Sequence, residues 1–319
     1  MSEVRLGKRI KRGVRYVAIR VALAIVGLLP RSAIAPLGRF FGTLAHALFS
    51  GEVRKALDSL AIAFPEKSEA KRAQLVRAMF VHLAMSALEL ALIRKLDPVL
   101  EQYVELPPEA WSAYQGALAR GSGAVFVTGH VGNWELLARR LARTALPCAT
   151  IAKESNDARL TALIDRVRAS GNLRTIWRGA PGAAKQMLRL LKDGGALGLL
   201  IDQDTKVQGV FVDFFGKKAF TPRAAADLAL RARAAPLVGF IRRLPNGGHR
   251  MEIRELPLPE GHDEAAVVAL TQAFTRAIED AIRAVPTEWV WMHRRWKTRP
   301  PEELAPQPAP ALDQVAIRQ

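Results

Sequence analysis

From about residue 120 onward, short apolar runs alternate with segments of helical spacing, and no other feature narrows the possible folds of this chain as far. The apolar runs fall at 124–128, 148–152, 173–177, 196–201 and 236–241, with a further strand predicted at 249–255. Segments with helical periodicity lie between and after them, at 132–146, 157–169, 181–193, 222–234 and 263–284. Strand–helix alternation of this kind packs as a mainly parallel sheet with helices on both faces. The runs are continuously apolar, as strands covered on both sides require. The predicted fold is therefore α/β, with a mainly parallel sheet covered by helices. In such open sheets the working groups collect at the carboxyl ends of strands. His130 and Asp202 occupy two such ends.

The region ahead of the alternation reads as helical. Pro36 starts one helix, with Leu37, Phe40, Phe41, Leu44 and Leu48 on one side, and residues 52–63 form a second. Ser68 caps a long third helix that ends before Asp97-Pro98. Further upstream, Arg5, Lys8, Arg9, Lys11, Arg12 and Arg15 precede YVAIRVALAIVGLLP, which only Arg20 interrupts. That run is short for a membrane span of about 18 apolar residues. Residues 7–29 are read as a helix lying on, or shallowly crossing, a membrane with its basic flank on the cytoplasmic side. The expected organisation is a membrane-associating segment at 1–35, a catalytic domain at 36–300 (helical to 110, sheet core from 120) and a proline-rich flexible tail at 301–319.

Charge limits the partners. The net charge of +17 draws the chain to polyanions, whether nucleic acid, an anionic membrane, phosphorylated lipid or an acidic protein. The single cysteine, Cys148, excludes an internal disulfide framework and a cysteine-built zinc site. No G-x-S-x-G, P-loop, H-E-x-x-H or strand-following G-x-G-x-x-G motif is present. This argues against the common serine hydrolases, P-loop enzymes, zinc proteases and dinucleotide oxidoreductases. No metal or cofactor is expected.

The first long strand exits into GHVGNWE, residues 129–135. Gly132 permits a tight turn, and the turn presents free N–H groups at a helix start. His130 at the strand end and Glu135 in the first helical turn are expected to meet. A carboxylate on one ring nitrogen fixes the tautomer, leaving the other nitrogen to take a proton from a hydroxyl. That is base catalysis for a substrate that brings its own nucleophile. The alternative for so short a motif is a capped helix start with a surface histidine.

His130-Val131-Gly132-Asn133-Trp134-Glu135 resembles the H-x-x-N-W-E signature of the bacterial lipid A biosynthesis acyltransferases, the late lauroyl/myristoyl transferases of the lysophospholipid acyltransferase superfamily. The likeness extends through FPEKS at 64–68, LLKDGGALGLLIDQD at 190–204, the FFG-containing block at 210–237 and EWVWMHRRWKTRP at 288–300. Three positions depart from the family pattern: Asp213, Lys153 where an arginine is common, and the Asp58–Ala61 region. The resemblance implies O-acyl transfer from an acyl carrier protein thioester to a hydroxyl of a phosphorylated glycolipid acceptor, at the cytoplasmic face of the inner membrane. His130 would be the base and Glu135 its orienting partner.

Asn133 and Trp134 are expected to shape the turn and line the pocket. Lys153, Arg168, Lys218 and Arg294 are candidate contacts to phosphate or donor, and Phe215 a candidate wall of the acyl-chain tunnel. Asp202 and Gln203 are read as a loop anchor or a substrate contact. Basic residues 293–299, interleaved with Trp289, Trp291 and Trp296, fit rings at membrane headgroup depth or a nucleic-acid surface. The apolar N-terminal segment decides for membrane. Rival readings are the same chemistry on another glycolipid, an aminolipid or a lysophospholipid, or a basic binding protein whose dyad is idle.

Overall fold

The computed structural model describes residues 2–144 and 146–304. Four helices lead the chain: α1 (Ser2–Leu28), α2 (Ile34–Leu48), α3 (Ser50–Ala63) and α4 (Glu69–Ala91). Ser68 caps α4 as expected, accepting a hydrogen bond from the Lys71 N–H at 3.3 Å. Two short helical turns, Ile93–Leu96 and Leu100–Tyr103, then lead to strand β1 (Val104–Glu105) and helix α5 (Pro108–Ala119).

The alternating region follows: β2 (Ala124–Thr128), α6 (Trp134–Ala142), β3 (Cys148–Ala152), α7 (Ala158–Ala169), β4 (Arg174–Trp177), α8 (Ala183–Lys192) and β5 (Ala196–Leu200). A hairpin, β6 (Gly209–Phe214) and β7 (Lys217–Pro222), precedes α9 (Ala224–Ala232), β8 (Ala235–Arg243), β9 (His249–Glu255) and α10 (Glu264–Ala284). Seven strands form one sheet in the order β1-β9-β8-β2-β5-β3-β4, parallel at every pairing except β8 with β9. The predicted parallel sheet is therefore present, with one antiparallel excursion.

The β6/β7 hairpin stands outside this sheet, and the strand periodicity did not reveal it. Its two turn residues, Phe215 and Gly216, have φ of +54° and +71°. Positive φ at both centres is the turn geometry whose twist matches a two-residue hairpin. Of the expected tail, Pro301–Leu304 forms a helical turn, and residues 305–319 lie outside the described residues.

Strand alternation divides the core. Phe126, Ala196, Leu237 and Met251 face α5 and α6 in one apolar cluster. Val125, Val127, Leu197 and Leu199 face the opposite way, toward α8, α9 and α10, in the larger cluster. Trp289, Trp291 and Trp296 belong to that larger cluster, at 1%, 0% and 6% exposure. This corrects the expectation of rings at a membrane interface. Arg295 is equally buried, donating to the Phe220 carbonyl and the Thr221 hydroxyl. A dense run of arginine and tryptophan in sequence is here a core plug.

Among the described residues one helix, Glu69–Ala91, is long and apolar enough to cross a membrane; its buried side chains pack within the body. The apolar stretches of α1 and α2 meet at 116°. Both carry exposed stripes: Val14, Val17, Val21, Ile25 and Leu28 on α1, and Phe40, Phe41, Leu44 and Leu48 on α2, continued by Phe49.

Candidate active site

β2 ends at Thr128, and the chain turns sharply before α6. The turn depends on Gly132, whose φ is +64° and whose added Cβ would sit 1.8 Å from the Ile241 carbonyl oxygen. Two tertiary contacts fix it. The Gly132 N–H donates to the Glu288 carbonyl at 2.9 Å, and Val131 bridges to Trp289. Asn133 caps α6 by accepting from the Leu136 N–H at 3.3 Å. Its amide also donates to Glu89 at 2.8 Å.

Glu89 is fully buried, yet its carboxylate is held well below the ordinary range: hydrogen bonds from His249 and Arg243 outweigh the burial that would raise it. Asn133 is thus a buried structural post rather than a pocket wall. Trp134 lies edge-on to His130, with ring centroids 4.8 Å apart, and lines the cavity.

The partner of His130 is Asp202, not Glu135. β5 lies beside β2 in register from Ala124/Ala196 to Thr128/Leu200, so the residues just past each strand end are neighbours. His130 Nδ1 is 2.8 Å from Asp202 Oδ1, and the His130 N–H donates to Oδ2 at 2.7 Å. Trp289 Nε1 donates to the same Oδ2, also at 2.7 Å. Asp202 is 2% exposed. Burial opposes its ionisation, but the imidazole's charge and three donors hold its pKa at about 2. Burial likewise opposes the imidazolium of His130, and Asp202, with Glu135 behind it, raises the His130 pKa above the ordinary value. With Nδ1 committed, Nε2 is the free nitrogen, and the ring retains 23% exposure.

Glu135 instead pairs with Arg168. Arg168 Nε donates to it at 3.0 Å, a second bond runs from Nη2, and Nη1 reaches Thr175 at 3.4 Å. Sequence spacing favoured the near carboxylate; sheet order delivered the one 72 residues away.

His130 opens into a cavity of about 790 Å³. Its lining includes Trp134, Glu135, Lys153, Arg168 and Gln203, together with a largely apolar set from β2, β3, β5 and α6. Three other expected contacts lie elsewhere. Phe215 is buried against Phe64, Phe214 and Trp291, away from the cavity. Its positive-φ position in the hairpin turn aims it into the larger core. Lys218, on β7, is ion-paired with Asp213 at 3.1 Å. Arg294 lines a separate, smaller pocket with Ser50, Gly51, Arg54, Lys55 and Asp58. Sequence reading also missed the Glu89–Arg243–His249 network beneath the turn, whose members come from α4, β8 and β9.

A histidine with one nitrogen locked to a buried carboxylate and the other facing an apolar cavity can take a proton from a hydroxyl that enters it. The chain belongs to the family "Bacterial lipid A biosynthesis acyltransferase", which it matches over residues 9–298. It is an acyltransferase acting on a lipid acceptor. It is 26% identical over 282 residues to the Escherichia coli (strain K12) lipid A biosynthesis lauroyltransferase, covering 87% of this chain and 90% of that one. It is similarly 26% identical over 286 residues to the palmitoleoyltransferase of the same organism, covering 85% and 87%. A phosphatidylinositol mannoside acyltransferase of Mycolicibacterium smegmatis is 27% identical over 188 residues, 58% of this chain and 59% of that protein.

Proposed function

We propose that the protein moves a fatty acyl chain from an acyl carrier protein thioester to a hydroxyl of a phosphorylated, already acylated lipid A precursor. The carrying observation is the Asp202–His130 pair, with His130 lining a large, mostly apolar cavity. His130 Nε2 takes the acceptor's hydroxyl proton as the oxygen attacks the thioester carbon. The C–S bond breaks, and the departing thiolate takes that proton back from Nε2. Asp202 holds the tautomer and offsets the imidazolium charge. Glu135 fixes Arg168 on the cavity wall, where the guanidinium offsets charge on the carbonyl oxygen or a substrate phosphate.

In this reading residues 1–35 attach the protein to the cytoplasmic face of the inner membrane, and residues 36–300 carry out the chemistry. The exposed stripe of α1 supports the attachment, with Phe40, Phe41, Leu44 and Leu48 of α2 extending the apolar surface. α1 also touches the catalytic body, since Arg159 of α7 lies over the Tyr16 ring at 5.0 Å. Acceptor lipid then reaches the site from the bilayer.

The mycobacterial relatives support a second reading in which the acceptor is a different glycolipid. Purified protein given acyl-acyl carrier protein and a panel of lipid acceptors separates the two. Thiol release only with lipid A precursors supports the first, and release only with other glycolipids supports the second. His130→Ala retaining full activity would remove the mechanism, and absence of thiol release with every acceptor would remove both readings.

A further inference from the structure

The cavity contains a trough that follows one strand. On the face of β5 that looks toward α6, the side chains are small at the amino end, Ala196 and Gly198, and Leu200 follows at the end nearest His130; all three line the cavity. Register places their neighbours on the same face. Gly198 is beside Phe126 of β2 and Thr150 of β3, and Ala196 is beside Cys148. Leu137, Ala138 and Leu141 of α6 roof the trough, and all these residues line the cavity that holds His130. Small residues at the amino end of β5, between the larger Phe126 and the α6 side chains, leave room there for an apolar chain.

The channel has a far end. Tyr114 of α5 packs against Phe126 with centroids 6.2 Å apart and joins the cluster that contains Ala196 and Cys148. Cys148 begins β3, so this end lies at the amino ends of the strands, opposite His130. Tyr114 is fully buried, and its hydroxyl has no hydrogen-bond partner among the described residues. The Tyr114 ring lines the cavity at this end, packed against Phe126.

We propose that Tyr114, with Cys148 beside it, is the stop that sets which acyl chain length the enzyme transfers, and that Gly198 is the clearance that lets the chain reach it. The proposal rests on the acyl-transfer reading above and deepens it. Ala196 to Leu200 spans about 13 Å at about 3.3 Å per residue. C–C bonds of about 1.5 Å advance a staggered chain about 1.25 Å per carbon, so the trough takes about 10 carbons. The carbonyl and its neighbour stand above the strand ends beside His130, for a total of about 12 carbons.

The test uses the full-length protein and acyl-acyl carrier protein thioesters from about 8 to about 18 carbons, with kcat/KM measured for each. Wild type should peak near 12 carbons. Tyr114→Ala should move the peak up by 2 to 4 carbons, changing the 16- to 12-carbon ratio by about tenfold or more, given about 0.8 kcal/mol per buried methylene. An alanine Cβ at 198 has its nearest atoms at 3.5 Å or beyond, so the backbone tolerates a side chain there. Gly198→Leu should therefore cut transfer of 12-carbon and longer chains at least tenfold while sparing the shortest. Tyr114→Phe keeps the bulk and should keep the wild-type profile.

An active Tyr114→Ala protein with an unchanged profile overturns the stop. If that variant does not fold, an unchanged profile in Gly198→Leu overturns the channel and the stop with it. Failure of wild type to transfer any chain length to any lipid acceptor sinks the acyl-transfer reading itself instead.

Discussion

Asp202→Asn is nearly isosteric, yet it should remove most of the activity. Asp202 accepts three hydrogen bonds: two at Oδ2, from the His130 N–H and Trp289 Nε1, and one at Oδ1 from His130 Nδ1. An asparagine has one acceptor oxygen and one donor group. Satisfying the two donors at Oδ2 places the carbonyl there and turns the NH₂ toward Nδ1. Nδ1 must then accept, which puts the imidazole proton on Nε2. Nε2 is the nitrogen that has to receive the acceptor's proton, so the base is blocked by its own tautomer. In the serine-protease triad the corresponding change lowers kcat by about 10⁴; positioned bases in general contribute about 10²–10⁴-fold. A fall of 10²–10⁴ in kcat is expected here, about 3–5 kcal/mol of barrier.

Folding should lose about 1–3 kcal/mol, because two bonds keep their direction, the third is reversed, and what is lost is the carboxylate's charge assistance. The pH profile supplies a separate check. His130 is raised by Asp202, and the base must be neutral to act, so the wild-type rate climbs as pH rises through that raised value. Without the carboxylate's charge the imidazole loses its proton more readily, and whatever activity remains should show its limb at lower pH. Steady-state acyl transfer across pH, with thermal melting alongside, measures both. An Asp202→Asn protein with more than a tenth of wild-type kcat and an unmoved limb would refute the reasoning.

Glu135→Gln should be milder, about 10- to 100-fold in kcat/KM, because it frees Arg168 rather than disarming His130; a loss equal to that of His130→Ala would return Glu135 to the role of direct partner. Glu288 is 5% exposed, and burial raises its pKa to about 7. A raised carboxyl contributes stability that is complete below its unfolded value and is lost as pH rises through about 7. Glu288→Gln should therefore flatten the decline in melting temperature between pH 6 and 8, an effect of about 1–3 kcal/mol, and an unchanged slope would disprove it. Gly132→Ala, with its Cβ directed at the Ile241 carbonyl, should break the turn and cost several-fold in soluble yield as well as activity; wild-type melting and kinetics would contradict that. Val17→Glu combined with Ile25→Glu should abolish co-sedimentation with anionic vesicles while leaving turnover of detergent-dispersed acceptor intact, and undiminished sedimentation would show that α1 is not the attachment surface.

Much of the fold was legible because its causes are local. Continuous apolar runs define β2, β3 and β5 within a residue of their observed ends, since a strand buried on both faces has nowhere to place a polar side chain. Ser68 caps its helix through a bond that spans three residues. His130 was identifiable from the strand–glycine–helix sequence around it. The hairpin at β6/β7 was not, because its strands pair only with each other and their faces fall on a helix rather than a second sheet layer. The tryptophan-rich segment misled for a related reason: indole and guanidinium groups suit a headgroup layer and a buried hydrogen-bonded plug equally, and burial is not written in composition.

By itself, then, the sequence determined the strands, the helices, the glycine turn and the imidazole, whose signals lie within about a dozen residues, although contacts to Glu288 and Trp289 hold the turn in place. Only tertiary structure decided which carboxylate holds that imidazole. Glu135 is near in the chain but is directed at Arg168, whereas Asp202 arrives because β5 lies against β2. Strand order is fixed by long-range burial and by crossover geometry, and these leave no mark on the spacing between two residues.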